Sequence, residues 1–131
     1  MIEEHEPGSV GFVGVSLDCA DPVELAEFYL QLLGGRVLWH KESSVGVKVP
    51  GVVLVTQHVA DYRRPAWPGA SVVHLDLTAG DQLNEPAQRA VALGASVADP
   101  QPDSRWRVLL DPAGHPFCIT TLAPRPETLA R

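Results

Sequence analysis

Apolar and polar residues alternate through Val72-Val73-His74-Leu75-Asp76-Leu77-Thr78, with Val73, Leu75 and Leu77 on one side and His74, Asp76 and Thr78 on the other. A period of two marks a half-buried strand. A helix-like run follows, opening near Asp81 and closing at Leu93, with Gly94 where a helix would end. The same order stands sixty residues earlier: Val13, Val15 and Leu17 match the strand, Asp21 matches Asp81, Gly34 matches Gly94 and Val37 matches Val97. The chain therefore reads as two copies of one module. Where the second copy has His74, the first has Gly14.

In chain order, Phe12 to Asp18 alternates and predicts the first strand. Asp21 as N-cap with Pro22 in the first turn starts a helix whose stripe is Leu25, Phe28, Tyr29, Leu32 and Leu33. Gly34-Gly35 ends it. Strands are expected over Arg36 to His40, Ser44 to Val49 and Val52 to His58, joined by turn-like residues. Ala60 to Gly69 carries two prolines, a glycine and no apolar period, so it is a loop joining the modules. Its Tyr62, Arg63, Arg64 and Trp67 suit either a lid over a pocket or a solvated crossover.

The second module repeats the first. Pro86 would break a helix begun at Asp81, so Asn84 or Glu85 is the expected cap, with Pro86 in the first turn. Strands follow at Ser96 to Ala98, Arg105 to Leu110 and His115 to Leu122, and Pro124 to Arg131 is a tail. The fold class is α+β: two tandem βαβββ modules forming a curled sheet with a shared concave cavity. Val13, Val15, Leu17, Val73, Leu75 and Leu77 should face the helices, and Gly14, Ser16, Asp18, His74, Asp76 and Thr78 the concave side. Such a surface is a natural small-molecule site. Residues 1–131 are expected to form a single domain, with modules at about 11–58 and 71–122, a linker at 59–70 and a tail at 123–131.

Composition narrows the function. The 131 residues are 45% apolar and 20% charged, an ordinary globular balance. A net charge of −6 would repel a polyanion, and no basic cluster offsets it, so nucleic acid is not an expected partner. No run approaches a membrane span, and the polar start Met-Ile-Glu-Glu-His-Glu lacks the features of a signal peptide. A cytoplasmic protein with Cys19 and Cys118 reduced is the expectation. Strand parity does not decide which of Trp39, Trp67 and Trp106 face the cavity, and core packing is the default for each.

Several motifs stand in order: Leu-Asp-Cys-Ala-Asp-Pro before a helix ending Phe-Tyr-x-x-Leu-Leu-Gly-Gly, Val-His-Leu-Asp-Leu opening the second half, and Asp-Pro-Ala-Gly-His-Pro-Phe-Cys near the end. Together they resemble the vicinal oxygen chelate superfamily, which includes glyoxalase I, bleomycin resistance proteins and extradiol dioxygenases. The likeness covers roughly Gly11 to Leu122 and is nearest to short glyoxalase-like domains of unassigned activity. In metal-dependent members the resemblance implies ligands on the first and last strands of each module. The corresponding residues are Gly14, Val55, His74 and Cys118, where the family usually has His or another ligand at the first and third and Glu at the second and fourth. Gly14 and Val55 carry no ligand atom. Asp76 could add a carboxylate or orient the His74 ring.

No cofactor is therefore expected, and a divalent metal stays open with an incomplete ligand set. The resemblance implies two functions. One is metal-independent binding of a small hydrophobic or drug-like molecule, with Gly14, Val55, His74, Asp76, Cys118 and Trp67 as candidate contacts. Drug-binding members generally work as homodimers, so a homodimer is expected. The other is a lyase, isomerase, epimerase or dioxygenase that uses His74 with Cys118 or Asp76, with or without a metal.

Overall fold

A computed structural model of the chain describes residues 2–9, 11–69 and 73–122. The tail and the expected strand start at Val72 lie outside the described residues. The first module is β1 (Val15–Cys19), α1 (Pro22–Leu33), β2 (Arg36–His40), β3 (Ser44–Val49) and β4 (Val52–His58). The second is β5 (Leu75–Leu77), α2 (Asn84–Leu93), β6 (Ser96–Val97), β7 (Trp106–Leu110) and β8 (Pro116–Thr120). Each module folds into a four-stranded mixed sheet, ordered β1-β4-β3-β2 and β5-β8-β7-β6. The two modules are thus topological copies, as the sixty-residue repeat predicts.

Local chemistry sets the elements. The Asp21 carboxylate accepts from the Glu24 amide at 3.1 Å, and Gly34 ends α1 at a φ of 77°, where a side chain would be strained. α1 buries Leu25, Ala26, Phe28 and Tyr29 and packs on β3 and β4. α2 departs from expectation at its start. Neither Asn84 nor Glu85 caps it; Leu83 stands at the cap position in helical conformation, with no side-chain cap bond. The Asn84 side chain instead accepts a hydrogen bond from Arg107 of β7 at 3.1 Å, which leaves it unavailable to the helix amides.

One core spans both modules. Phe28 of α1 meets Phe117 of β8 at 5.9 Å between ring centroids, and Tyr29 meets the same ring edge-on at 6.2 Å. The Tyr29 hydroxyl donates to Asp111 Oδ2 at 2.7 Å, across 82 residues of sequence. Oδ1 of Asp111 accepts from the amides of Ala113 and His115, both at 2.9 Å. Burial raises the Asp111 carboxyl above its ordinary range, against the pull of these donors. His115 Nε2 donates to the Asp18 carbonyl at 2.6 Å, so the Asp-Pro-Ala-Gly-His turn is tied to both α1 and β1.

Val13 and Val73 do not reach the helices. They are 71% and 66% exposed, because β1 begins at Val15 and β5 at Leu75 and the helix-covered part of each sheet starts there. Val15, Leu17, Leu75 and Leu77 do pack into the core.

Candidate functional site

Strand register decides what gathers on the concave side of the second sheet. Asp76 stands opposite Cys118, and Cys118 opposite Val108, in one row across β5, β8 and β7. Adjacent rows pair Thr120 with Trp106 and Pro116 with Leu110. Ala98, Val108 and Cys118 form a small apolar cluster separate from the main core, with Trp67, Trp106 and Leu110 packed against it. A cavity of about 450 Å³ opens over this face; Trp67, Trp106, Val108, Pro116 and Leu122 give it apolar walls, and His74, Asp76, Cys118 and Thr120 also line it.

Trp67 arrives from the inter-module loop, which is largely exposed but tied by hydrogen bonds to the turn before β8. Tyr62 donates its hydroxyl proton to the Ala113 carbonyl at 2.8 Å, and Arg64 donates to the Pro112 carbonyl at 2.8 Å. The Trp67 indole nitrogen is buried with no hydrogen-bond partner among the described residues.

The polar end of the cavity is compact. His74 Nδ1 lies 3.1 Å from Asp76 Oδ1 and 3.9 Å from Cys118 Sγ. Burial first, then the Asp76 charge, pushes the Cys118 thiol up to about 11, so the metal-free thiol is a poor nucleophile near neutrality. Both neighbours approach the same ring nitrogen. A nucleophile–histidine–acid relay needs them on opposite nitrogens, so this arrangement is not a Cys-His-Asp triad.

A second cavity, about 540 Å³, lies on the seam between modules, bounded by Val15 to Asp18 of β1, Pro65 and Ala66 of the strap, and His74, His115 and Pro116. His74 lines both cavities.

The first sheet is built differently. Its equivalent row is Ser16, Val55 and Gly46. The Trp39 ring lies directly on Gly46, so a Cβ there would stand 2.5 Å from three ring atoms. Gly14 has a comparable constraint: an added Cβ would collide with the Val53 carbonyl oxygen. Gly14 and Val55 line neither cavity. Of the expected site residues, the structure gathers His74, Asp76, Cys118 and Trp67. It adds Trp106 and Thr120, which parity counted from Cys118 could have found once the β7–β8 register was known.

A family model for the Glyoxalase-like domain matches residues 14–120. The chain belongs to that family. Its fold is that of the vicinal oxygen chelate superfamily. Similar solved structures include a mutant of the fosfomycin resistance protein FosX from Listeria monocytogenes, complexed with Mn(II) and 1S,2S-dihydroxypropylphosphonic acid. It is 14% identical, with a TM-score of 0.66, covering 85% of this chain and 89% of that one. A glyoxalase/bleomycin resistance protein/dioxygenase family enzyme from Burkholderia phytofirmans PsJN is 18% identical, with a TM-score of 0.64 and coverage of 79% and 92%. A glyoxalase-related enzyme from Fulvimarina pelagi is 19% identical, with a TM-score of 0.62 and coverage of 85% and 88%. At these identities the likeness is one of fold. No curated protein matches. Among the described residues, no helix is long and apolar enough to cross a membrane, and both cysteines are free.

Proposed function

We propose that this glyoxalase-like protein binds a small, largely apolar or drug-like molecule in the cavity of the second sheet. The observation that carries this reading is the pair Trp67 and Trp106 on one 450 Å³ cavity whose polar groups are few. That volume falls in the usual range for small-molecule pockets, about 300–1,000 Å³. Flat aromatic walls give broad contact at low entropy cost. His74 and Asp76 orient the ligand from the exposed end. The affinity rests on the walls and requires no metal. In this reading residues 1–131 work as one unit in the cytoplasm, as a homodimer. Exposed Phe12 and Val13 before edge strand β1 support the dimer.

Tryptophan-fluorescence titration with the apolar probe 8-anilinonaphthalene-1-sulfonate and a panel of aromatic compounds tests this reading. Trp67→Ala and Trp106→Ala should each weaken binding by roughly 10-fold or more, about the 1.4 kcal/mol that one lost aromatic wall supplies. Trp39→Phe, on the other sheet, should not. Unchanged affinity in both cavity variants would refute the site, and turnover of a dicarbonyl–thiol adduct or a catechol would refute a pure binder.

The second reading is an enzyme of the same superfamily, favoured by the convergence of His74, Asp76 and Cys118. Its residues would polarise or deprotonate a substrate at the polar end of the same cavity.

A further inference from the structure

Three donor atoms of different chemistry converge at one end of the second-sheet cavity: His74 Nδ1, Asp76 Oδ1 and Cys118 Sγ, all within 4.8 Å of one another. Around a tetrahedral zinc with bonds of about 2.0–2.3 Å, ligand atoms stand about 3.3–3.8 Å apart. The separations of 3.1 Å and 3.9 Å from His74 Nδ1 bracket that spacing. A thiol and a carboxylate directed at one imidazole nitrogen leave no path for a proton across the ring, yet all three donor atoms lie close enough together to share one cation. Cys118 and Asp76 are held there by parallel register between β5 and β8.

The donor set differs from the one the superfamily implies. Gly14 and Val55 supply no ligand atom, and the Val53 carbonyl blocks any side chain at Gly14. The first module thus offers nothing at its two ligand positions. The second module keeps His74, replaces a carboxylate with the Cys118 thiol, and adds Asp76 two residues along the strand. Manganese favours oxygen and nitrogen donors, whereas a thiolate selects zinc and its soft relatives.

We propose that His74, Asp76 and Cys118 form a site for a thiophilic divalent cation, zinc foremost, drawn from the second module alone. Three protein ligands leave a fourth coordination position for water or a small molecule. As the metal–sulfur bond forms, the Cys118 proton passes to solvent. The proposal does not depend on the apolar-ligand reading, and either can fail alone.

Cobalt(II) titration of untagged protein, followed by zinc displacement, tests it. Expected is one cobalt per chain with thiolate-to-metal charge transfer in the near ultraviolet, lost on adding zinc. Zinc should also shield Cys118 from iodoacetamide. His74 and Asp76 side chains are 47% and 58% exposed, so His74→Ala and Asp76→Asn should keep the fold. His74→Ala should weaken zinc binding beyond the ~10–100-fold typical of losing an outer-shell partner. Cys118→Ser, checked for folding by circular dichroism, should abolish the charge-transfer band, and manganese should bind at least ~100-fold more weakly than zinc. A band surviving in Cys118→Ser would place the metal at the other thiol, Cys19, and overturn the proposal. Unchanged zinc affinity in His74→Ala, or manganese binding tighter than zinc, would also overturn it.

Discussion

Tyr29→Phe removes one oxygen atom and keeps the ring that packs against Phe28 and Phe117. What it deletes is the 2.7 Å hydrogen bond to Asp111 Oδ2, at a site where Tyr29 is 0% and Asp111 1% exposed. Oδ1 keeps its two amide donors, but Oδ2 loses its side-chain partner. A hydrogen bond to a charged group contributes about 1.5–3 kcal/mol, so the expected loss with Asp111 ionised is about 2 kcal/mol. For a chain of this length that corresponds to roughly 6–10 °C in Tm.

Urea unfolding followed by circular dichroism reads the loss directly. The pH dependence gives a second check. The Tyr29 hydroxyl favours the ionised carboxylate, while burial raises the Asp111 pKa above its unfolded value. Through the window between those two values the native state holds more protons, so stability falls as pH rises. Without the hydroxyl the native pKa climbs further. The deficit of the variant should therefore be largest above the native pKa of Asp111 and shrink on acidification as the carboxyl becomes protonated. A loss under about 0.5 kcal/mol at the alkaline end of the range, or a deficit that grows on acidification, would refute the role assigned to this bond.

Other predictions follow from the same geometry. Gly14→His, which restores a family-type donor, should destabilise the protein by about 1–3 kcal/mol and fail to improve metal affinity, because its Cβ has no room against Val53; improved zinc binding by calorimetry would contradict this. In metal-free protein, alkylation of Cys118 should accelerate with pH toward a midpoint of about 11, and Asp76→Asn should lower that midpoint while burial keeps it above the ordinary value; mass spectrometry after timed iodoacetamide exposure reads both. Phe117→Ala empties a fully buried ring site that joins α1 to β8, and should cost about 3–5 kcal/mol in urea unfolding.

Much of the fold was legible because its signals are local. The alternation and the Asp21-Pro22 and Gly34 punctuation gave α1 and β2 to β4 their bounds, and the sixty-residue offset gave the duplicated module. The α2 cap was misread because Asn84 has a competing partner in Arg107, which sits in a strand 23 residues away. Part of the site was equally legible. His74 and Asp76 share a face by parity, and Cys118 falls at a motif position. Their convergence was not, since it depends on β5 pairing parallel to β8 in a register that places Asp76 beside Cys118.

By itself, then, the sequence determined the two modules, the apolar stripe of α1 and the lack of donors at Gly14 and Val55, because each is a property of neighbouring residues or of residue type. The tertiary structure alone decided which concave face stays open. In the first sheet the Trp39 ring lies on Gly46, in the row that also holds Val55. In the second, the strap held by Tyr62 and Arg64 brings Trp67 to a cavity with Trp106 on its wall, joining residues that no periodicity connects. The physical reason is range. Backbone period and turn chemistry act over a few residues, whereas a cavity is what remains after side chains distant in sequence have packed.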